Sequence, residues 1–216
     1  GAYPPERQRV WVWGEYELRY IYPPKELEGY HPLWINKHFL QKANFKNGKL
    51  KVGDASFSLL YVDVQFMDNK SLDRILELAI SGLPVCLKNL PREPSKIKDK
   101  IYQKKLKELL ALPQVKQQFD DVRKNPPILQ ADSLPNYWCR VDKKGNAYIF
   151  LAQWKSKNLT YPIYSGQSYS SKNSSLPLTI NFNGNQSKID VLFEPYQSVM
   201  IKVSPTGKIK LLDISF

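Results

Sequence analysis

The segment "FSLLYVDVQFMDNKSLDRILELAISGLPVCLK", Phe57–Lys88, decides how the first half of the chain is read. Its opening run, FSLLYVDVQF, is dense in apolar side chains, as a central strand covered on both faces requires. Asp68 or Asn69 then supplies an N-cap. Leu72, Ile75, Leu76, Ala79 and Ile80 repeat at helical spacing, and Gly82 stops the helix. "LPVCLKNLP" reads as a second buried strand, and a Lys-rich helix follows it. In that helix Lys96, Lys98, Lys100, Lys104, Lys105 and Lys107 accompany an apolar stripe of Ile97, Ile101, Leu106, Leu109 and Leu110. Strand, helix, strand, helix with tight joins predicts a right-handed parallel β/α unit.

Upstream, residues 1–30 are rich in Trp, Tyr and Pro, and "RVWVWGEYELRYIYPP" reads as strand or extended loop ended by Pro23 and Pro24. "HPLWINKHFLQKANF" gives a short helix with Leu33, Ile35, Phe39 and Leu40 turned inward, and Asn47-Gly48 marks a turn. Downstream, the pattern changes near Pro126-Pro127. From Tyr137 onward the helical period disappears, and strand, turn, strand signals recur at "YWCRV" and "AYIFLAQW" around Asp142–Asn146, and at "LTINF" and "KIDVLF" around Asn183–Asn185. A last hairpin sets Val199, Ile201 and Val203 against Ile209 and Leu211 across Ser204-Pro205-Thr206-Gly207. The expected organisation is an α/β domain with an aromatic N-terminal segment over residues 1–130 and an antiparallel β-sandwich over 131–216. The Ser-rich stretch 164–175 reads as an exposed loop.

The chain has 216 residues, enough for two small cores, and its 42% hydrophobic and 12% aromatic content is that of a folded protein. The net charge of +12 raises the question of an anionic partner. Lysine on a solvated helix face accounts for much of it. Arg is scarce beside Lys, and no zinc-finger spacing or RNA-binding aromatic motif is present, so the distribution of the charge argues against an anionic partner, whether nucleic acid or an acidic polysaccharide. No apolar run approaches the roughly 20 residues that cross a bilayer, and no basic, then apolar leader precedes Pro4. The abrupt aromatic start reads as a cut from something longer. His31 and His38 lack ligand spacing with any Cys or His, so no metal and no cofactor is implied. Cys86 and Cys139 each sit in an apolar, strand-like run. Buried thiols are the default reading, and a disulfide between them stays open because sequence sets no distance.

The ordered segments "NGKLKVGDASFSLLYVDV", "MDNKSLDRILELAISGLPVCL", "NLPREP", "NYWCRVDKKGNAYIFLAQ" and "FEPYQSVMIKV" resemble the C-terminal region of large alpha-L-rhamnosidase-like glycoside hydrolases, over roughly residues 35–212. The resemblance implies that the first domain is a small, incomplete flavodoxin-like three-layer α/β domain, similar to class I glutamine amidotransferases, and that a β-sandwich follows. It also implies that Pro195 and Tyr196 shape the entry to a closing strand of that sandwich, and that the protein is secreted or periplasmic. The family's catalytic carboxylates lie on a (β/α)8 barrel of ~250 residues, which this chain has no room to hold. Glu15 and Glu17 fall on one side of a strand rather than facing each other across a scissile bond. Cys86 lies between Val85 and Leu87 instead of the small residues a nucleophile elbow needs, and both histidines precede it. The expectation is therefore a non-catalytic accessory region whose partners are the other domains of a larger glycoside hydrolase. A stand-alone carbohydrate-binding module is the alternative, and a small hydrolase with unidentified carboxylates a further one. Trp11, Trp13, Tyr20, Tyr22 and Trp34 form the candidate carbohydrate contact, aromatic faces being apt to stack on sugar rings. The simpler reading of the same side chains is packing against another domain or within this one.

Overall fold

The computed structural model describes residues 24–94, 99–152, 173–194 and 197–212, together with the backbone of residues 9–13 and 16–20. Strands β1 (Arg9–Trp13) and β2 (Tyr16–Tyr20) pair antiparallel, with Trp11 opposite Leu18 and Trp13 opposite Tyr16. The chain forms two compact units: Gly1–Pro23 with Leu33–Asn125, and Pro24–Pro32 with Pro126–Phe216.

In the first unit, α1 (Lys37–Lys42) starts at Asn36, whose side chain accepts from the Phe39 amide at 3.1 Å. A three-stranded meander follows: β3 (Asn44–Lys46), β4 (Lys49–Val52) and β5 (Ala55–Phe57). Asn47 (φ 52°) and Gly48 (φ 71°) make the first turn, both left-handed as a two-residue hairpin loop demands. Next come β6 (Leu60–Val62), α2 (Asn69–Ile80), β7 (Val85–Leu87), α3 (Lys100–Ala111) and β8 (Val115–Lys116), with β6, β7 and β8 hydrogen-bonded in parallel. The Asp68 carboxylate caps α2 through the Ser71 amide at 3.0 Å, and Asp99 caps α3 through the Ile101 and Tyr102 amides. Leu72, Ile75, Leu78 and Ala79 of α2 and Leu109 of α3 close over Leu60, Val62, Val85 and Leu87 in one apolar cluster that also takes in Leu40 and Leu50.

The three-layer flavodoxin-like expectation is wrong. The described residues are mostly β, with three α-helices of six, twelve and twelve residues. The parallel sheet has strands of three, three and two residues in the unreversed order β6-β7-β8. Right-handed crossovers in an unreversed order put both helices on one face, and Lys105 of α3 does reach Asp73 and Asn69 of α2. On the other face Tyr61 meets not an α-helix but the ring of Phe119, 6.0 Å away in the single 3-10 turn Phe119–Asp121. The ten-residue run FSLLYVDVQF also yields less strand than its composition promised. Its first residue belongs to β5, and the ladder with β7 ends at the pair Val62 and Leu87. Pairing resumes only as a single bridge between Phe66 and Arg92. Leu33 and Phe39, expected inside, are about half exposed, because a six-residue helix buries one narrow face, here that of Leu40.

In the second unit, β9 (Leu129–Gln130), β12 (Ser174–Phe182) and β13 (Asn185–Phe193) form one antiparallel sheet in the order β13-β12-β9. A second runs β10 (Asn136–Val141), β11 (Ala147–Ala152), β14 (Ser198–Val203) and β15 (Ile209–Leu212) in sequence order. Leu178, Ile180, Val191 and Phe193 from the first sheet and Ile149, Leu151, Ile201 and Val203 from the second share one core, the arrangement of a β-sandwich. Asp142 organises the β10–β11 turn by accepting from the Lys144 and Asn146 amides, each at 2.8 Å. Pro24–Pro32 is tied to this unit by Gly29, whose φ is +82° and where an added Cβ would lie 1.9 Å from the Leu129 carbonyl oxygen. The Leu129 amide donates to the Gly29 carbonyl, and the Tyr137 hydroxyl donates to that of Tyr30. Pro195 and Tyr196, most of the Ser-rich stretch, and Lys96–Lys98 of the Lys-rich segment lie outside the described residues.

Candidate functional site

Period-two alternation puts Cys139, Ile149, Leu151, Val199, Ile201 and Val203 into the sandwich core, with Ile209 of β15 packed against it, so the intervening residues of these four strands form the sheet's outer face. The register aligns them in rows. Trp138 lies opposite Phe150, Phe150 opposite Met200, and Met200 opposite Leu212, giving an apolar row across all four strands. The next row, two residues along each strand, is Arg140, Tyr148, Lys202 and Lys210. With strands about 4.8 Å apart, each row is roughly 14 Å long. An antiparallel sheet covered on one side normally presents polar residues on the other. Here a hydrophobic row stands beside a cationic one.

Aromatic rings hold two of the cations, one across the two rows and one within the cationic row. The Arg140 guanidinium lies 4.4 Å from the Trp138 ring centroid, and the Lys202 ammonium lies 5.5 Å from that of Tyr148. His31, carried in by the Pro24–Pro32 segment, sets its ring at 88° to Trp138 with centroids 4.8 Å apart, and its Nε2 accepts from Arg140 at 3.5 Å. Burial, and after it the Arg140 charge, lower the His31 pKa, so the imidazole is neutral near pH 7 and presents an acceptor to the guanidinium. Trp138 remains 47% exposed despite both neighbours. At the turn end of the sheet Lys143, Lys144 and Lys208 are exposed, with Asp142 the acidic residue among them.

The sequence candidates fare unevenly. Trp11, Trp13 and Tyr20 sit on β1 and β2, but their side chains, like Tyr22 and Glu15 altogether, lie outside the described residues. Trp34 is described and 67% exposed, just ahead of α1. The outer face of the sandwich was missed by sequence reasoning. Its signal was available: once "NYWCRV" sends Cys139 inward, Trp138 and Arg140 point out, and the Asp142–Asn146 turn fixes what they face.

Other locations offer less chemistry. Cys86 is fully buried in the middle of β7, its sulfur 3.8 Å from the Gln117 carbonyl oxygen, and Cys139 is buried in β10. Burial pushes the Cys139 thiol up to about 11. An open cleft of about 800 Å³ beside β12 is lined by Gln130, Asp132, Ser133, Asn136, Ser175 and Thr179 among others, and Asp132 is its one ionisable lining residue among those described. Glycosidase chemistry of the usual kind needs two carboxylates. No protein-family model, curated protein or solved structure matches the chain.

Proposed function

We propose that this chain is a non-catalytic accessory region of a larger carbohydrate-active glycoside hydrolase, in which the sandwich serves as a contact surface. The outer face of the four-stranded sheet carries the proposal: Trp138, Phe150, Met200 and Leu212 form a hydrophobic row where a solvated sheet would be polar, the mark of a surface built for an encounter. The carbohydrate setting comes from the resemblance of the five quoted segments to the alpha-L-rhamnosidase-like enzymes. The placement of Cys86 mid-strand, sealed between Val85 and Leu87, supports a role without amidotransferase chemistry.

Two measurements test this. The coding sequence around the chain is expected to encode a barrel of ~250 residues with opposed carboxylates, and the purified chain is expected to leave aryl rhamnosides and other aryl glycosides unhydrolysed. A reading frame that encodes this chain alone would favour the stand-alone binding module. Turnover abolished by Glu15→Gln or Glu17→Gln would favour the small hydrolase.

A further inference from the structure

We infer that the outer face of the four-stranded sheet binds an anionic polysaccharide, one bearing carboxylate or sulfate groups along its chain. The inference deepens the accessory reading and rests on it for the class of ligand; the sign of the ligand's charge comes from the face itself. Arg140, Lys202 and Lys210 stand in one row, one cation on each of β10, β14 and β15, while the β11 position between them is Tyr148. Lys143, Lys144 and Lys208 extend the positive field beyond that row at the turn end, where Asp142 is the one carboxylate among the described residues of the two turns. Asp142 is already occupied by its own turn, accepting from the Lys144 and Asn146 amides and the Asn146 side chain.

A flat apolar row of about 14 Å parallel to a cationic row of the same length suits a chain whose units each present a hydrophobic ring face and an anionic group. Sugar rings of a uronate or sulfated glycan would lie along Trp138, Phe150, Met200 and Leu212. Their carboxylates or sulfates would meet Arg140, Lys202 and Lys210. Arg140 serves both rows, since its guanidinium lies over Trp138 while neutral His31 accepts one of its N–H groups and adds no opposing charge.

The test uses the whole chain with polygalacturonate and dextran sulfate as probes and neutral dextran as control, by affinity electrophoresis and titration calorimetry. Retention by at least one polyanion, none by neutral dextran, and affinity falling with added salt are expected. Lys202→Gln with Lys210→Glu should weaken binding by about tenfold or more at low salt, and Trp138→Ala should weaken it at salt levels that screen charge. Lys210→Glu alone, on an exposed edge-strand position, guards against loss of folding and should still weaken binding while far-ultraviolet circular dichroism is unchanged. Failure to retain either polyanion overturns the inference, as does binding that these substitutions leave intact. Single-stranded DNA bound more tightly than both polyanions would reassign the face to nucleic acid. Binding of neutral dextran lost on Trp138→Ala would remove the anionic requirement yet leave the accessory reading standing, because that reading is decided by the coding sequence and the hydrolysis assay.

Discussion

In the second unit β12 and β13 pair over nine residues each, from Ser174 opposite Phe193 to Phe182 opposite Asn185, whereas the parallel pairing of β6 with β7 in the first unit lasts three. The long ladder springs from a two-residue loop, Asn183 (φ 50°) and Gly184 (φ 78°), that sets its register at once. The short one must be brought together through a twelve-residue helix, and its β7 partner spans only Val85–Leu87, directly after Pro84. Cohesion therefore has different sources. The sandwich core rests on strand alternation held by turns, the first unit on the helical stripes of α2 and α3 laid over a very small sheet.

Core truncations test this contrast most strongly. Phe193→Ala should cost ~3–5 kcal/mol and Leu72→Ala ~2–5 kcal/mol in urea unfolding. In hydrogen exchange, Phe193→Ala should release amides along β12 and β13, and Leu72→Ala those of α2. If Leu72→Ala were nearly neutral, the helical stripe would not be what holds the first unit together.

Gly29→Ala comes next. The left-handed φ and the approach to the Leu129 carbonyl oxygen combine strain with a backbone collision that no side-chain motion relieves, for a cost of about 3 kcal/mol. The expected sign in the protein is increased proteolysis within Pro24–Pro32. An unchanged melting temperature would show that this segment is not an integral part of the sandwich.

Asp68→Ala should cost about 1 kcal/mol through loss of the α2 cap. Partial burial works against the charged form, but the Ser71 amide and the Lys37 ammonium outweigh it and hold the Asp68 carboxyl below its usual pKa of 3.8. A lowered folded-state pKa means that the stabilisation is complete above the ordinary value and is lost as pH falls through the lowered one. Wild type and Asp68→Ala should thus converge in stability toward the acid end of a urea-denaturation series, while remaining apart near pH 7.

Tyr102→Phe has an effect as small as that of Asp68→Ala and of the opposite sign. Burial, with the nearby Glu93 and Asp68 charges, pushes the Tyr102 phenol up to about 12, and its buried hydroxyl has no hydrogen-bond partner among the described residues. Removing that hydroxyl should raise stability by roughly 1 kcal/mol, measured by thermal unfolding.

Legibility in the sequence follows the same contrast. The hairpins at Asn47-Gly48, Asp142–Asn146, Asn183-Gly184 and Ser204–Gly207 could be read directly, because turn chemistry is local and fixes register. The Gly82 stop of α2 was equally plain, and its cap was narrowed to Asp68 or Asn69, of which Asp68 serves. Strand length in the parallel sheet was not, since composition cannot tell a strand from an apolar connection, and the number of layers depends on strand order, which no local signal encodes. Trp138 and Arg140 escaped notice for a related reason. Each is ordinary in its own strand, and only four strands in register turn them into a surface.

The anchoring of Pro24–Pro32 has a further consequence, for the order of events at the ribosome. The Tyr137 hydroxyl reaches a carbonyl 107 residues earlier in the chain, so at ~5–20 residues per second the earlier segment waits roughly 5–20 s for its partner to be made. During that interval all of Leu33–Asn125 emerges, with the helices and short strands of the first unit. Closing a loop that long brings its entropic cost before any contact offsets it. The sandwich thus matures later than the first unit, and the cluster of His31, Trp138 and Arg140 forms only once the chain has been translated past Arg140.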